Sequence, residues 1–164
     1  MNRHREHRWA PGLREILARA IHEEYVRRSR LKGTAPTNGT MVSWEDLPEA
    51  LKESNRAQAD HIPTKLAMIG FAVSVATDDD AADEILVEEL ESMARLEHER
   101  WVDERRANGW TLGAKDTARQ QTPYLIPYDE LPEEIKEYDR DVVRALPLVL
   151  ARAGMSMRRL KRTQ

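Results

Sequence analysis

Two stretches of the chain carry apolar residues at helical spacing. Leu86, Leu90, Met93, Ala94, Trp101 and Val102 fall on one face of a helix predicted over about 82 to 107. Ile135, Val142, Val143, Leu146, Leu150 and Ala151 do the same for a helix predicted over about 132 to 153. Two further helices are read upstream. The first runs from about Leu13 to Leu31 and stops at Gly33, a natural C-terminal cap. The second is capped by Ser43 or Asp46, carries Pro48 in its first turn, and reaches Ile69, with Gly70 ending it. Pro63 bends or interrupts this helix, and Pro147 sits at the matching place in the last one. The Thr-, Pro-, Asn- and Gly-rich segment from 33 to 42 reads as a loop, and the short apolar run "YLIPY" as a small strand. "TDDDAAD" reads as a hinge, and the basic segment beyond Met155 as a tail that frays.

The pattern occurs twice. "LPEALKESNRAQADHIPTKLAMIG", from Leu47, aligns without a gap on "LPEEIKEYDRDVVRALPLVLARAG", from Leu131, at an offset of 84. The matches include Lys52 with Lys136, Arg56 with Arg140, Pro63 with Pro147 and Gly70 with Gly154. A repeated mid-helix proline is the most telling pair, because such a residue costs about 3 kcal/mol in a helix interior. Upstream, "ARAIHEEYVRRSRLKG" aligns on "ARLEHERWVDERRANG" at an offset of 76, setting His22 on His98 and Tyr25 on Trp101. The second copy therefore holds eight more residues between its helices, within "WTLGAKDTARQQTPYLIPY", where a lid is expected. Two helices do not bury a core alone, so the copies are expected to pack on each other with approximate twofold symmetry. The His-x-x-aromatic pairs then either face each other across a cleft or occupy two equivalent sites.

Composition narrows the class. Among 164 residues, 40% are apolar and 34% charged, which fits a globular chain. There is no Cys, so a disulfide framework and a thiolate metal site are excluded, and a cytoplasmic setting is expected. A net charge of -3 gives no global basic field and argues against nucleic acid as a partner. The ends, "NRHREHR" and "RRLKR", are basic; solvated tails are the plain reading, and contact with a phosphate, a membrane surface or other domains of a longer chain the sharper one. No run approaches the ~18 apolar residues of a membrane span, and the charged N-terminus is no secretory signal. Catalytic signatures are weak: "HEEY" and "HERW" lack the second His of a zinc motif, and no phosphate loop or Ser-His-Asp context is present. Neither catalysis, a metal nor a cofactor is expected.

In the second copy, His98 and Trp101, then Gly109-Trp110, Gly113, the stretch Pro123, Leu125, Pro127, Tyr128, and "LPEEIKEYDRDVV" with Gly154 resemble the RyR domain, the repeat of the ryanodine receptor that also occurs in bacteria. The resemblance covers about 89 to 155. The first copy looks like a degenerate version, with Tyr25 for the Trp and no Gly-Trp. The chain thus reads as mainly α with short strands: a first repeat over 10–75, a hinge and helix start over 76–88, a second repeat over 89–156 and a basic tail over 157–164.

The resemblance implies a binding module. In the receptor, a tandem pair forms a pocket between its halves that accepts adenine nucleotides and aromatic small molecules, and the His-x-x-Trp helices line it. Carried over by position, His22, Tyr25, His98 and Trp101 are the implied ligand contacts. The bacterial relatives imply a sensor of nucleotide signals. Two positions depart from the pattern: Tyr25 is a smaller platform than Trp, and Thr122 stands where the family often has His before Pro.

The chemistry of the residues is compatible with that. Trp101 and Tyr25 are platforms for a flat base, and stacking is worth ~1–3 kcal/mol. Arg105, four residues after Trp101, shares its face. Arg105, Arg56 and Arg140 are candidate phosphate partners, and Trp44 and Tyr128 candidate walls. Each has a plainer reading. Trp101 and Tyr25 serve equally well in helix packing, the histidines in structural hydrogen bonds, Arg56 and Arg140 in salt bridges, and Trp44, Trp110 and Tyr128 as core or loop staples. The expectation is a non-catalytic sensor of a small nucleotide, most simply adenine-containing. The alternative is a protein-interaction or structural module with its aromatics buried.

Overall fold

The computed structural model describes residues 9–33, 39–77 and 83–160. The basic opening segment up to residue 8, the loop centre 34–38, the acidic hinge 78–82 and the last four residues lie outside it. The element order is α1 (Pro11–Leu31), α2 (Glu49–Asp60), α3 (Ile62–Met68), β1 (Phe71–Val75), α4 (Val87–Ala107), β2 (Thr111–Leu112), β3 (Gln121–Thr122), a 3-10 turn (Tyr128–Glu130), α5 (Glu133–Arg144), α6 (Leu146–Arg152) and β4 (Met155–Arg159). The described chain is mainly helical with short strands, and none of its helices is long and apolar enough to cross a membrane.

The second and fourth predicted helices each divide in two. The breaks fall at His61 and Ala145, two residues before Pro63 and Pro147, so each proline lies in the first turn of a new helix. There its missing N–H has no partner to lose. The long α4 begins at Val87, later than the pattern predicts; the Glu89 carboxylate accepts a hydrogen bond from the Leu86 N–H and sets the start there.

Two expectations are corrected. "YLIPY" is not a strand: it is an irregular turn leading into the 3-10 turn, because Pro123 and Pro127 remove donors from a ladder. The segment after Met155 does not fray at once; through Arg159 it is β4, paired antiparallel with β1. β1 itself was not anticipated. Both strands follow a glycine with positive φ, Gly70 (76°) and Gly154 (68°), which ends the helix and turns the chain.

Two compact units form. One comprises Met1–Glu84 with Ala145–Gln164, the other Ile85–Arg144. The first unit thus takes in α6 and β4. Its core gathers Leu17, Ala18 and Ala20 of α1, Ile62 and Leu66 of α3, Phe71, Leu146, Val149, Leu150 and Met157, all buried. Trp44 and Leu47 pack on Ala18, with Val42 and Leu51 beside them. In the second unit α4 packs on α5 and on the 3-10 turn. Met93, Ala94, Val102, Leu125, Tyr128, Leu131 and Val143 fill that space.

Candidate functional site

In the second unit α4 carries His98, Trp101 and Arg105 along one face. His98 is buried, and its Nε2 donates to the Ile126 carbonyl at 2.8 Å. A carbonyl only accepts, so the proton sits on Nε2. Nδ1 lies 3.4 Å from Asp139 Oδ2. Burial pushes the imidazolium down, but the Asp139 carboxylate and the Ile126 carbonyl outweigh it and hold the His98 pKa above its ordinary value. The indole of Trp101 stacks on the imidazole with centroids 5.8 Å apart and planes 23° from parallel. Tyr128 approaches His98 at 6.0 Å and donates its hydroxyl to Glu91 at 2.9 Å. Burial, then Glu91, push the Tyr128 phenol up.

Arg105 stands between two indoles. Its guanidinium is 5.4 Å from the Trp101 ring and 4.7 Å from the Trp110 ring. Nε is shut off from solvent with no hydrogen-bond partner, and among the described residues no carboxylate pairs with the group. Desolvation lowers its pKa from that of a free guanidinium. Trp110 is placed by the glycine turn that ends α4, its N–H returning to the Arg105 carbonyl at 2.9 Å. Arg105 thus makes no ion pair among the described residues, although the Glu104 charge acts on it.

The first unit repeats most of this. His22 is buried, and its Nε2 donates to the Val42 carbonyl at 2.8 Å. Tyr25 lies 6.5 Å from that imidazole and Trp44 6.0 Å. Tyr25 is 42% exposed, and its hydroxyl lies 3.3 Å from Thr40 Oγ1. The position corresponding to Asp139 holds Asn55, whose amide donates to the Leu51 carbonyl, so the carboxylate partner has no counterpart. An open cavity of about 590 Å³ lies beside His22, bordered by Arg27, Arg30, Val26 and Trp44.

Arg56 and Arg140 are committed elsewhere. Arg56 gives its nitrogens to Glu15, Glu49 and Glu53, and Arg140 gives its own to Glu91, Glu133 and Glu137. These carboxylates hold both guanidinium pKa values above the usual range. A phosphate at either arginine would have to displace a carboxylate. Trp44 and Tyr128 are buried, with Lys52 and Lys136 against their faces at 5.9 and 5.5 Å. Both rings therefore act as floor and staple.

The eight-residue excess of the second copy is tied down. Thr111 and Gly113 donate to the Gln120 and Thr122 carbonyls, and Asp116 and Gln121 exchange both backbone hydrogen bonds. The segment is a folded loop held by its own backbone hydrogen bonds. Sequence reasoning missed two partners: Trp110 against Arg105, and Asp139 against His98. The second had a signal, since aligning the copies sets a carboxylate against an amide at that one position.

Among the described residues no cluster of three His, Asp or Glu is placed to hold a metal ion. Residues 82–159 match the family model of the RyR domain, and the first copy lies outside that match. No curated protein matches the chain.

Proposed function

With an RyR domain occupying residues 82–159 as premise, we propose that the chain is a non-catalytic binding module for a nucleotide or nucleotide-derived signal, most simply an adenine-containing one. The observation that carries this reading is Arg105, held between Trp101 and Trp110 without a carboxylate. A guanidinium fixed by two rings has already lost much of its freedom, so an incoming phosphate gains a positioned, weakly hydrated donor. The half-exposed indoles offer π area to a purine. Tyr25, exposed in the other unit, is the corresponding platform there. Binding would act by linkage, favouring whichever arrangement of the chain holds the ligand better.

We read the first copy as a degenerate RyR repeat equivalent in its internal contacts to the second. The support is that contacts recur at the two offsets. His22 to Val42 corresponds to His98 to Ile126, Arg56 to Glu15 corresponds to Arg140 to Glu91, and Arg19 to Glu45 corresponds to Arg95 to Asp129.

Calorimetric titration with adenine nucleotides, cyclic dinucleotides and cyclic ADP-ribose variants tests the proposal. Trp101→Ala should weaken the productive ligand by about tenfold or more, in line with a stacking contribution of ~1–3 kcal/mol, while circular dichroism stays that of the parent. Arg105→Ala should weaken a nucleotide far more than its nucleoside. Absence of heat with every ligand sinks the nucleotide reading. A second reading, an interaction module, has its own observation: His22 and His98 spend their Nε2 protons on loops of their own units. If Trp emission stays equally open to acrylamide with and without nucleotide, this second reading is the better one.

A further inference from the structure

β1 and β4 form a two-stranded antiparallel ribbon in which Phe71 faces Arg159, Val73 faces Met157 and Val75 faces Met155. Leu160 donates to the Gly70 carbonyl and Ala76 to the Gly154 carbonyl. Those two bonds fix the phase of the ladder. Residues 70, 72, 74 and 76 turn their backbone groups toward β4, and Phe71, Val73 and Val75 turn theirs outward. The same alternation on β4 sends the groups of Met157 and Arg159 to its outer side. There the Met157 carbonyl accepts from the Asp83 N–H, and the Arg159 N–H donates to the Asp83 carboxylate. Asp83 thus occupies the edge of β4 at Met157 and Arg159. On the edge of β1, among the described residues, no hydrogen bond reaches Phe71, Val73 or Val75 from outside the ribbon.

We propose that the outer edge of β1 pairs antiparallel with β1 of a second copy of this chain, giving a continuous four-stranded sheet in the order β4-β1-β1-β4. Three features commit the edge to this occupant. β1 is Phe-Ala-Val-Ser-Val, with no charge, no proline and no break in register, so it lacks the devices that keep free edges apart. An antiparallel copy centred on Val73 sets Phe71 opposite Val75 and Val73 opposite Val73. The facing pairs on one side, Phe71 with Val75 and Val73 with Val73, are aromatic or β-branched, Ala72 meets Ser74 on the other, no like charges meet, and Val75, 71% exposed, is covered. The existing ribbon has the same centre: Val73 already faces Met157, the residue 84 positions later. Because Asp83 occupies the outer edge of β4, the pairing uses the β1 edge on both copies and closes as a dimer instead of continuing as a fibre.

The test uses the full chain. Sedimentation and light scattering across a concentration series should show a monomer–dimer equilibrium with nothing larger. Val75→Lys, at an exposed position, should shift the chain to monomer with its circular dichroism unchanged. The chain has no cysteine, so Val73→Cys introduces a single thiol. Facing residues in such a ladder lie about 5.5 Å apart at Cα, within disulfide range, and mild oxidation should give a covalent dimer. A chain that stays monomeric up to its solubility limit overturns the proposal. So does a dimer that Val75→Lys leaves intact and that Val73→Cys does not cross-link, or an open series of larger species.

Discussion

Asp139 helps to hold the His98 pKa above its ordinary value, and that makes the pair measurable. The imidazole is buried, its Nε2 proton is committed to Ile126, and the Asp139 carboxylate 3.4 Å from Nδ1 favours a second proton, with the Ile126 carbonyl and the Glu99 charge acting in the same direction. The folded pKa of His98 lies above its ordinary value, so the folded state holds that proton more tightly than the unfolded chain. The resulting stability is fully present below pH about 6.5 and is lost as pH rises through the folded pKa. Asp139→Asn should lower the His98 pKa in an NMR titration of the ring. The difference in urea midpoint between parent and variant should be widest on the acid side of neutrality and shrink toward pH 8. A difference independent of pH would mean that Asp139 acts through packing alone. The sequence displayed His98 and Trp101 plainly, because their spacing is local. It did not display Asp139 or Trp110 as partners, because both contacts depend on how α4 meets segments that follow it by tens of residues.

At the level of elements, prolines and glycines were the most legible signals, and their energetic weights differ. Pro63 and Pro147 lie in the first turns of α3 and α6, where a proline N–H would have had no acceptor. Replacing Pro63 by Ala should change stability by less than about 1 kcal/mol. Gly70 and Gly154 hold φ of 76° and 68°, and nothing lies within 4 Å of where a Cβ would sit. Their requirement is therefore conformational and not steric. Gly70→Ala and Gly154→Ala should each cost about 1–2 kcal/mol in chemical denaturation, whereas a cost near zero would show that the backbone relaxes out of the left-handed region. The strands that follow these glycines were harder to read. "FAVSV" is only five residues long and "MSMRR" is half polar, so neither shows a period of its own. They become strands because each supplies the other's ladder from 84 positions away, a relation that the helix-to-helix repeat alignment stopped just short of. "YLIPY" had the apolar content of a strand but not the donors.

For the whole molecule, the repeat boundaries read from the sequence and the compact units of the structure are different divisions. Repetition is local similarity and is visible in one dimension. A compact unit is set by which apolar surfaces bury one another, and here α6 and β4, from the end of the second copy, complete the core built on α1 and α3. Leu146, Val149, Leu150 and Met157 are all but fully buried there. Removing everything after Arg144 would take those four side chains away together with β4, the partner of β1 in the ribbon. The loss of even one buried Leu costs about 2–5 kcal/mol, and a domain's whole stability is about 5–15 kcal/mol. A chain ending at Arg144 should therefore lose the first unit entirely: its α1–α3 amides should exchange without protection, and it should bind a hydrophobic dye. Removing only the last four residues, which lie beyond β4, should leave the protection pattern unchanged. If the chain ending at Arg144 kept protected amides in α1 and α3, the first copy would be a self-sufficient fold, and the shared core described here would not be what holds it.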